Sequence, residues 1–485
     1  MALYHYNFYY KKASLLACLF LWTVLTGYTQ QFITFTKTEQ QNYLAFGEMD
    51  HTYLRRTTDH DSPASIYIAN LHHSIELILS NDPQQFERYQ EAQEARLEIL
   101  EESNITDPIY SFIKAELLLQ SAFVHLKFGY ELESAWSIRQ SLRLIKKKKN
   151  NFPDYLPYLK TWGLLQVLMG SVPEDYHWLL SVLGMKGSID EGLSALSIHA
   201  ASADATASES AMLLSLFQAY LLGRSSNISN KAEKSVSALQ HFVNLLVALK
   251  SNSGPKAIES YNTLKQCKWD YPVTYYLAGE AYLRQGDFVN AVKQYQHFIE
   301  QAKGEANVKD AHYKIFLAYH LSGSASNAQK YYLLAKEKGN TQTEADKHAN
   351  KSLKKDKWPN VLIMRIRLLT DGGYYSVADS LLETEKHHQF NDSEEQLEFT
   401  YRKARLAHQQ GKISKAIEFY EKVTATTFKT ASYYAPNSCL QLGLIYAELG
   451  QTKKAKAYLT KVSGYPKHEY KRSLDQKAKN ALAKL

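Results

Sequence analysis

The chain is 485 residues long, past the ~250 to 300 at which one hydrophobic core stops growing, so several domains or a stacked array are expected. With 45% apolar and 22% charged residues, 21 Gly and 11 Pro, it is too hydrophobic for a disordered chain and too poor in Gly and Pro for a fibrous one. Net charge is +8, and residues 450–485 carry all of it: ten Lys or Arg stand against Glu469 and Asp475, leaving the other 449 residues in balance.

The chain opens on a mildly basic stretch ending in Lys11-Lys12, an apolar run over residues 13–25 and a polar exit, Thr26-Gly27-Tyr28-Thr29-Gln30. That profile predicts a signal peptide over residues 1–29, cut near Thr29, and an exported protein of the periplasm or cell surface. At 13 residues the run is shorter than the ~20 that span a bilayer. Leu15-Leu16-Ala17-Cys18 resembles a lipoprotein box, but most of the apolar run follows Cys18, so lipidation is not the expected outcome. Beyond the leader only Cys267 and Cys439 remain, which excludes a disulfide-built fold; both are expected as separate buried thiols.

Residues 30–237 read as helices without regular repetition. Residues 66–79 and 86–100 are apolar at spacings of three and four, and Asn81-Asp82-Pro83 between them stops one helix and starts the next. Residues 112–128 and 135–145 form a hairpin around Gly129. A segment rich in Gly, Trp and Leu follows over residues 162–187. It is read either as an apolar pocket for a lipid or small molecule or as a buried hairpin joining two halves.

Residues 238–465 repeat themselves. Gly, then Ala five residues on, then Tyr or Leu four further, occurs as Gly286/Ala291/Tyr295, Gly323/Ala328/Tyr332, Gly373/Ala378/Leu382, Gly411/Ala416/Tyr420 and Gly450/Ala455/Leu459; Ala257/Tyr261 is a looser sixth copy. Each copy reads as a helical hairpin. Glycine takes the turn, where positive φ is cheap; alanine lets the second helix approach the first; the large residue one turn later fills the space between hairpins. Pro272, Pro359 and Pro436 mark the starts of first helices. Alanine spacings of 34, 37, 50, 38 and 39 place the longest linker over residues 338–358. Residues 466–485 are expected as the basic capping helix a solenoid requires.

On these residues the chain resembles the tetratricopeptide repeat (TPR) family, with its period of about 34 residues. The resemblance implies an all-α fold, an α-α superhelix of about six hairpins over residues 238–465 behind a less regular helical N-terminal half. It also implies a concave groove on the first helices. The groove-facing positions fall on Tyr276, Glu280, Arg284, Tyr313, His320, Arg367, Tyr401, Arg405 and His408. The Lys and Asn set with which chaperone-binding TPR domains clamp a terminal carboxylate is missing from them. The segment around Leu183-Gly184-Met185-Lys186-Gly187 is similar to the eukaryotic inclusion-body-clearance group of TPR-like proteins, Met185 standing where an aromatic falls.

Catalytic patterns are not found. His72-His73 and His387-His388 are adjacent pairs that diverge on a helix, Asp59-His60-Asp61 is a loop triplet, and Ser111-Phe112-Ile113-Lys114 lacks companion motifs. The expectation is a non-enzymatic scaffold without cofactor or metal that binds a protein or peptide along its groove. Nucleic acid is not an expected partner; the basic C-terminus offers peripheral association with the envelope. A lipid or small-molecule carrier using residues 162–187 is the alternative.

Overall fold

The computed structural model describes residues 31–50, 62–102, 106–172, 180, 181, 183–223, 236–267, 269–384, 390, 392–425 and 432–485. The expected leader with Cys18, Asp59-His60-Asp61, His387-His388 and residues 173–179 of the central segment lie outside the described residues. The described residues hold twenty-two α-helices, and their only β pairing is an isolated bridge between Gln31 and Tyr155, so the fold is all-α. No described helix is long and apolar enough to cross a membrane. The chain divides into two compact units, residues 1–243 with 267–269, and residues 244–266 with 270–485.

The first unit contains α1 (Lys37–Gly47), α2 (Pro63–Ser80), α3 (Phe86–Glu102), α4 (Pro108–Lys127), α5 (Glu131–Asn151), α6 (Pro157–Gly170), α7 (Ile189–Ala200), α8 (Ala207–Leu222) and the start of α9 (Ala238–Lys250). Helix starts follow local chemistry. Ser62, Asp107 and Ser188 each accept a backbone N–H of the first turn, and Pro63 and Pro108 open their helices without wasting a donor. Asn81 ends α2 in the left-handed conformation. The α6–α7 hairpin is packed on glycine: a Cβ on Gly192 would stand 2.6 Å from the carbonyl oxygen of Gly163, and one on Gly187 2.6 Å from that of Gln166. Backbones this close leave no room between them. Of the two readings of residues 162–187, the described part takes the form of a tight hairpin.

The second unit contains the rest of α9, then α10 (Gly254–Leu264), α11 (Pro272–Gln285), α12 (Phe288–Gln301), α13 (Val308–Leu321), α14 (Ala325–Glu337), α15 (Glu344–Lys354), α16 (Val361–Asp371), α17 (Tyr375–Thr384), α18 (Ser393–Gln409), α19 (Ile413–Thr424), α20 (Tyr434–Glu448), α21 (Thr452–Ser463) and α22 (Lys471–Leu482). The hairpin pattern is realised physically. Gly286, Gly323, Gly373, Gly411 and Gly450 have φ between 70° and 86°, and Ala257, Ala291, Ala328, Ala378, Ala416 and Ala455 are each 0% exposed. Gly279 explains the need for a small residue in the first helix, since a Cβ there would stand 2.8 Å from the Tyr295 ring.

The long spacing before Ala378 is not a long loop. It holds α15, which begins with a capping box of Thr343 and Asp346 and ends in Lys351 and Lys354. Asp346 is fully buried and also accepts the backbone N–H groups of Asn307 (2.9 Å) and Asp310 (3.0 Å), pinning α15 to the start of α13. The array curls tightly: the backbone N–H of Gly254 donates to the carbonyl of Gly372 at 2.8 Å, three hairpins further on. At the end, Leu474 and Ala478 of α22 cover Cys439, Leu440, Leu459 and Val462. Cys439 is buried, whereas Cys267 is only half-buried, and neither forms a disulfide.

Candidate ligand groove

Successive first helices α11, α13, α16 and α18, with α15 and the turn before α22, enclose a groove of about 310 Å³. Charge of both signs lines it. Arg284, Lys314, Lys351, Lys355, Lys357, Arg367 and Arg402 stand against Glu280, Asp371, Glu394, Glu395, Glu398 and Glu469, with Tyr313, Trp358, Tyr433, Tyr434 and Tyr470 between them. Much of this charge is already paired. Glu280 takes Lys314 at 2.7 Å and Arg284 at 3.2 Å; Lys357 reaches Asp392 (2.7 Å) and Glu395 (3.2 Å); Arg402 holds Glu398 at 2.6 Å. Arg367 has a longer contact to Asp371, 3.7 Å, and Lys355 makes no ion pair among the described residues.

Burial and charge tune the groups behind the groove. Burial alone would raise the Glu280 pKa, but Lys314 and Arg284 outweigh it and hold the carboxyl well below the usual range. The neighbouring Asp310 is the opposite case. Burial, with Glu280 and Asp346 close by, lifts it to about 6 although Lys314 and the Tyr276 hydroxyl (2.6 Å) oppose the shift. Burial, then the positive charges of Arg367 and Lys314, lowers the pKa of His348.

The structure places Glu280, Arg284, Tyr313 and Arg367 along this groove. Tyr276 lies behind it on Asp310, and His320, not itself on the lining, meets the carbonyl of Pro359 (2.8 Å) and the ring of Phe316, two residues that are. Tyr401, Arg405 and His408 do not line it. Tyr401 is 2% exposed, packed with Tyr420 and Tyr434 and taking a hydrogen bond from Asn437 at 2.7 Å; His408 meets the Tyr420 hydroxyl at 3.3 Å. Helix α18 is seventeen residues long and turns a different stripe to the groove, Glu394, Glu395, Glu398 and Arg402. Among the lining residues missed by sequence reasoning are these, Lys314 of α13, Lys351 of α15, and Lys355 and Lys357 just after it. Thr343 and Asp346, three apart ahead of a lysine-rich turn, were the available signal for that helix.

The first unit carries its polar groups inside. Lys160 is 1% exposed, and its ammonium bonds Glu116 (2.9 Å), Glu209 (2.6 Å) and the Tyr67 hydroxyl. Burial alone would lower its pKa, but the two carboxylates win and raise it, so it stays charged. Ser210, His199 and Asp204 stand in series, with His199 Nδ1 2.9 Å from the Ser210 hydroxyl and Nε2 3.3 Å from Asp204, poorly aligned for a hydrogen bond. Order alone does not make a catalytic triad. Ser210 is 0% exposed, while Asp204 is taken up by Thr206 and by the backbone N–H of Ile33 (2.8 Å). Among the described residues no group of three His, Cys, Asp or Glu side chains is placed to hold a metal ion.

Stacked helical hairpins around a charged groove define a helical-repeat solenoid. Tetratricopeptide repeat profiles match residues 274–303, 397–427 and 436–465, so the second unit contains tetratricopeptide repeats over those residues. No curated protein matches the chain. Among solved structures it is similar to the TPR domain of P58(IPK), at 15% identity over 86% of this chain and 99% of that one, with a TM-score of 0.22. It is also similar to the human IFIT1 dimer with PPP-AAAA, at 13% identity over 94% of each chain, with a TM-score of 0.26. Superpositions this loose carry no argument about a ligand.

Proposed function

We propose that the chain is an exported, non-catalytic scaffold whose second unit holds an extended segment of a partner protein in the groove. The observation that carries this reading is the lining of successive first helices with both signs of charge and rigid aromatic side chains, the surface an extended peptide with mixed side chains fits. Export rests on the leader profile of residues 1–29, and the basic face of α22 adds a weak attraction to an anionic envelope surface. A photo-crosslinking residue at exposed Lys355, on the groove, is expected to trap a defined partner in cells, and the trapping to fail on Arg367→Glu. The same residue at exposed Lys415, on the second helix α19, is expected to trap nothing of the kind. Identical adducts at both positions would remove the groove from the proposal. Fractionation and N-terminal sequencing test export, with a mature start near Gln30 expected.

A further inference from the structure

A second hollow, of about 460 Å³, lies in the first unit, within the size range of small-molecule sites. Ile75 and Ile78 of α2, Phe123 of α4 and Met212, Leu213 and Leu216 of α8 line it and are only half-buried. Three helices thus turn apolar side chains to one space without filling it, where a packed interior leaves few voids larger than a water. Such surface left wet costs roughly 25 cal/mol per Å², and a run of methylene groups would cover it.

The hollow follows one face of α4, from Glu116 through Gln120 and Phe123 to Lys127. Eleven helical rises make that roughly 16 Å, a length suited to a long aliphatic tail. At the Glu116 end the polar groups are already satisfied, because Lys160, Glu116, Glu209 and Tyr67 bond one another. Two donors elsewhere on the wall are not. Gln120 is 8% exposed and takes the Asn70 amide on its oxygen at 2.6 Å, while its Nε2 has no partner. Lys127 is half-buried at the far end, pairs with nothing among the described residues, and has its pKa lowered by burial.

An apolar channel with an orphan donor and an unpaired ammonium asks for an aliphatic ligand with an anionic head. We infer that this cavity binds one long-chain fatty acid, its tail between α2, α4 and α8 and its carboxylate toward Lys127. The site is independent of the groove in the second unit.

The test uses the full chain and oleate as probe, with oleyl alcohol as the uncharged control. Calorimetry is expected to show saturable oleate binding to the wild type, weakened about tenfold or more by Leu213→Trp, which fills the hollow. Ile75→Trp fills it from α2 should the first variant fail to fold. Lys127→Met is expected to weaken oleate severalfold and leave oleyl alcohol unchanged. Free fatty acid is expected in the organic extract of purified protein. Oleate binding that tolerates either tryptophan in a folded variant, or an equal effect of Lys127→Met on acid and alcohol, overturns the inference. So does an extract holding diacyl phospholipid in place of free acid.

Discussion

In the second unit the hairpin interiors are filled by small and aromatic side chains in a fixed rhythm, Ala291 with Tyr295, Ala328 with Tyr332, Ala416 with Tyr420, and charge gathers at the groove and, with buried Asp310 and Asp346, around the start of α13. In the first unit no such rhythm exists, and the interior instead contains Lys160 with two glutamates, Asn70 with Gln120, and His199 with Ser210. A repeat solves its packing once and copies the answer, so apolar shape alone fixes register. A unit without repeats has no copied answer, and buried polar partners that fit in one arrangement only take over that role, at the risk of a large penalty when one is removed.

The largest expected effect follows from that penalty. Lys160→Met leaves Glu116 and Glu209 facing each other inside the first unit and should cost about 4 kcal/mol in chemical denaturation; a cost below about 1 kcal/mol would erase the contrast between the units. Next comes the carboxyl behind the groove whose pKa folding raises, Asp310. Folding raises Asp310 from 3.8 to about 6, so its favourable contribution is complete below pH ~4 and is lost as pH climbs through 6. Asp310→Asn should therefore flatten the fall in stability between about pH 3 and pH 7 by up to about 3 kcal/mol, read from denaturation midpoints across that range. Smallest is Gly411→Ala in a repeat turn. With φ at 72° and nothing within 4 Å of the added methyl, only backbone strain is felt, and a loss of about 1 kcal/mol is expected by thermal melting.

How much could be read from residues alone divides along the same line. The repeat was legible because its signals are local: glycine at the turn, alanine at the crossing, an aromatic one turn on. Four groove positions, Glu280, Arg284, Tyr313 and Arg367, fall where the repeat places them, but α18 turns Tyr401 inward because a ring cluster of Tyr420, Tyr433 and Tyr434 receives it. A periodic template has no means of foreseeing an inserted helix, so the lysines of α15 went unseen. In the first unit, caps and prolines announced the helices, whereas Lys160 meets partners 44, 49 and 93 residues away, separations over which no local pattern carries information. The apolar hollow escaped for the same reason: its wall is assembled mainly from α2, α4 and α8, with Phe46, Leu239 and Val243 from α1 and α9, and of the described residues in 162–187 only Leu164 touches it.

Lys351 of α15 and Glu469, just before α22, meet at 3.2 Å, both of them on the lining of the groove. The inserted helix and the terminal cap thus clasp hands over the trough. An outer ion pair of this kind is worth at most about 1 kcal/mol, so the clasp adds little to how tightly anything is held. Its influence falls on the rim instead: parting these two charges widens the trough on that side, and added salt, by screening the pair, makes that parting easier.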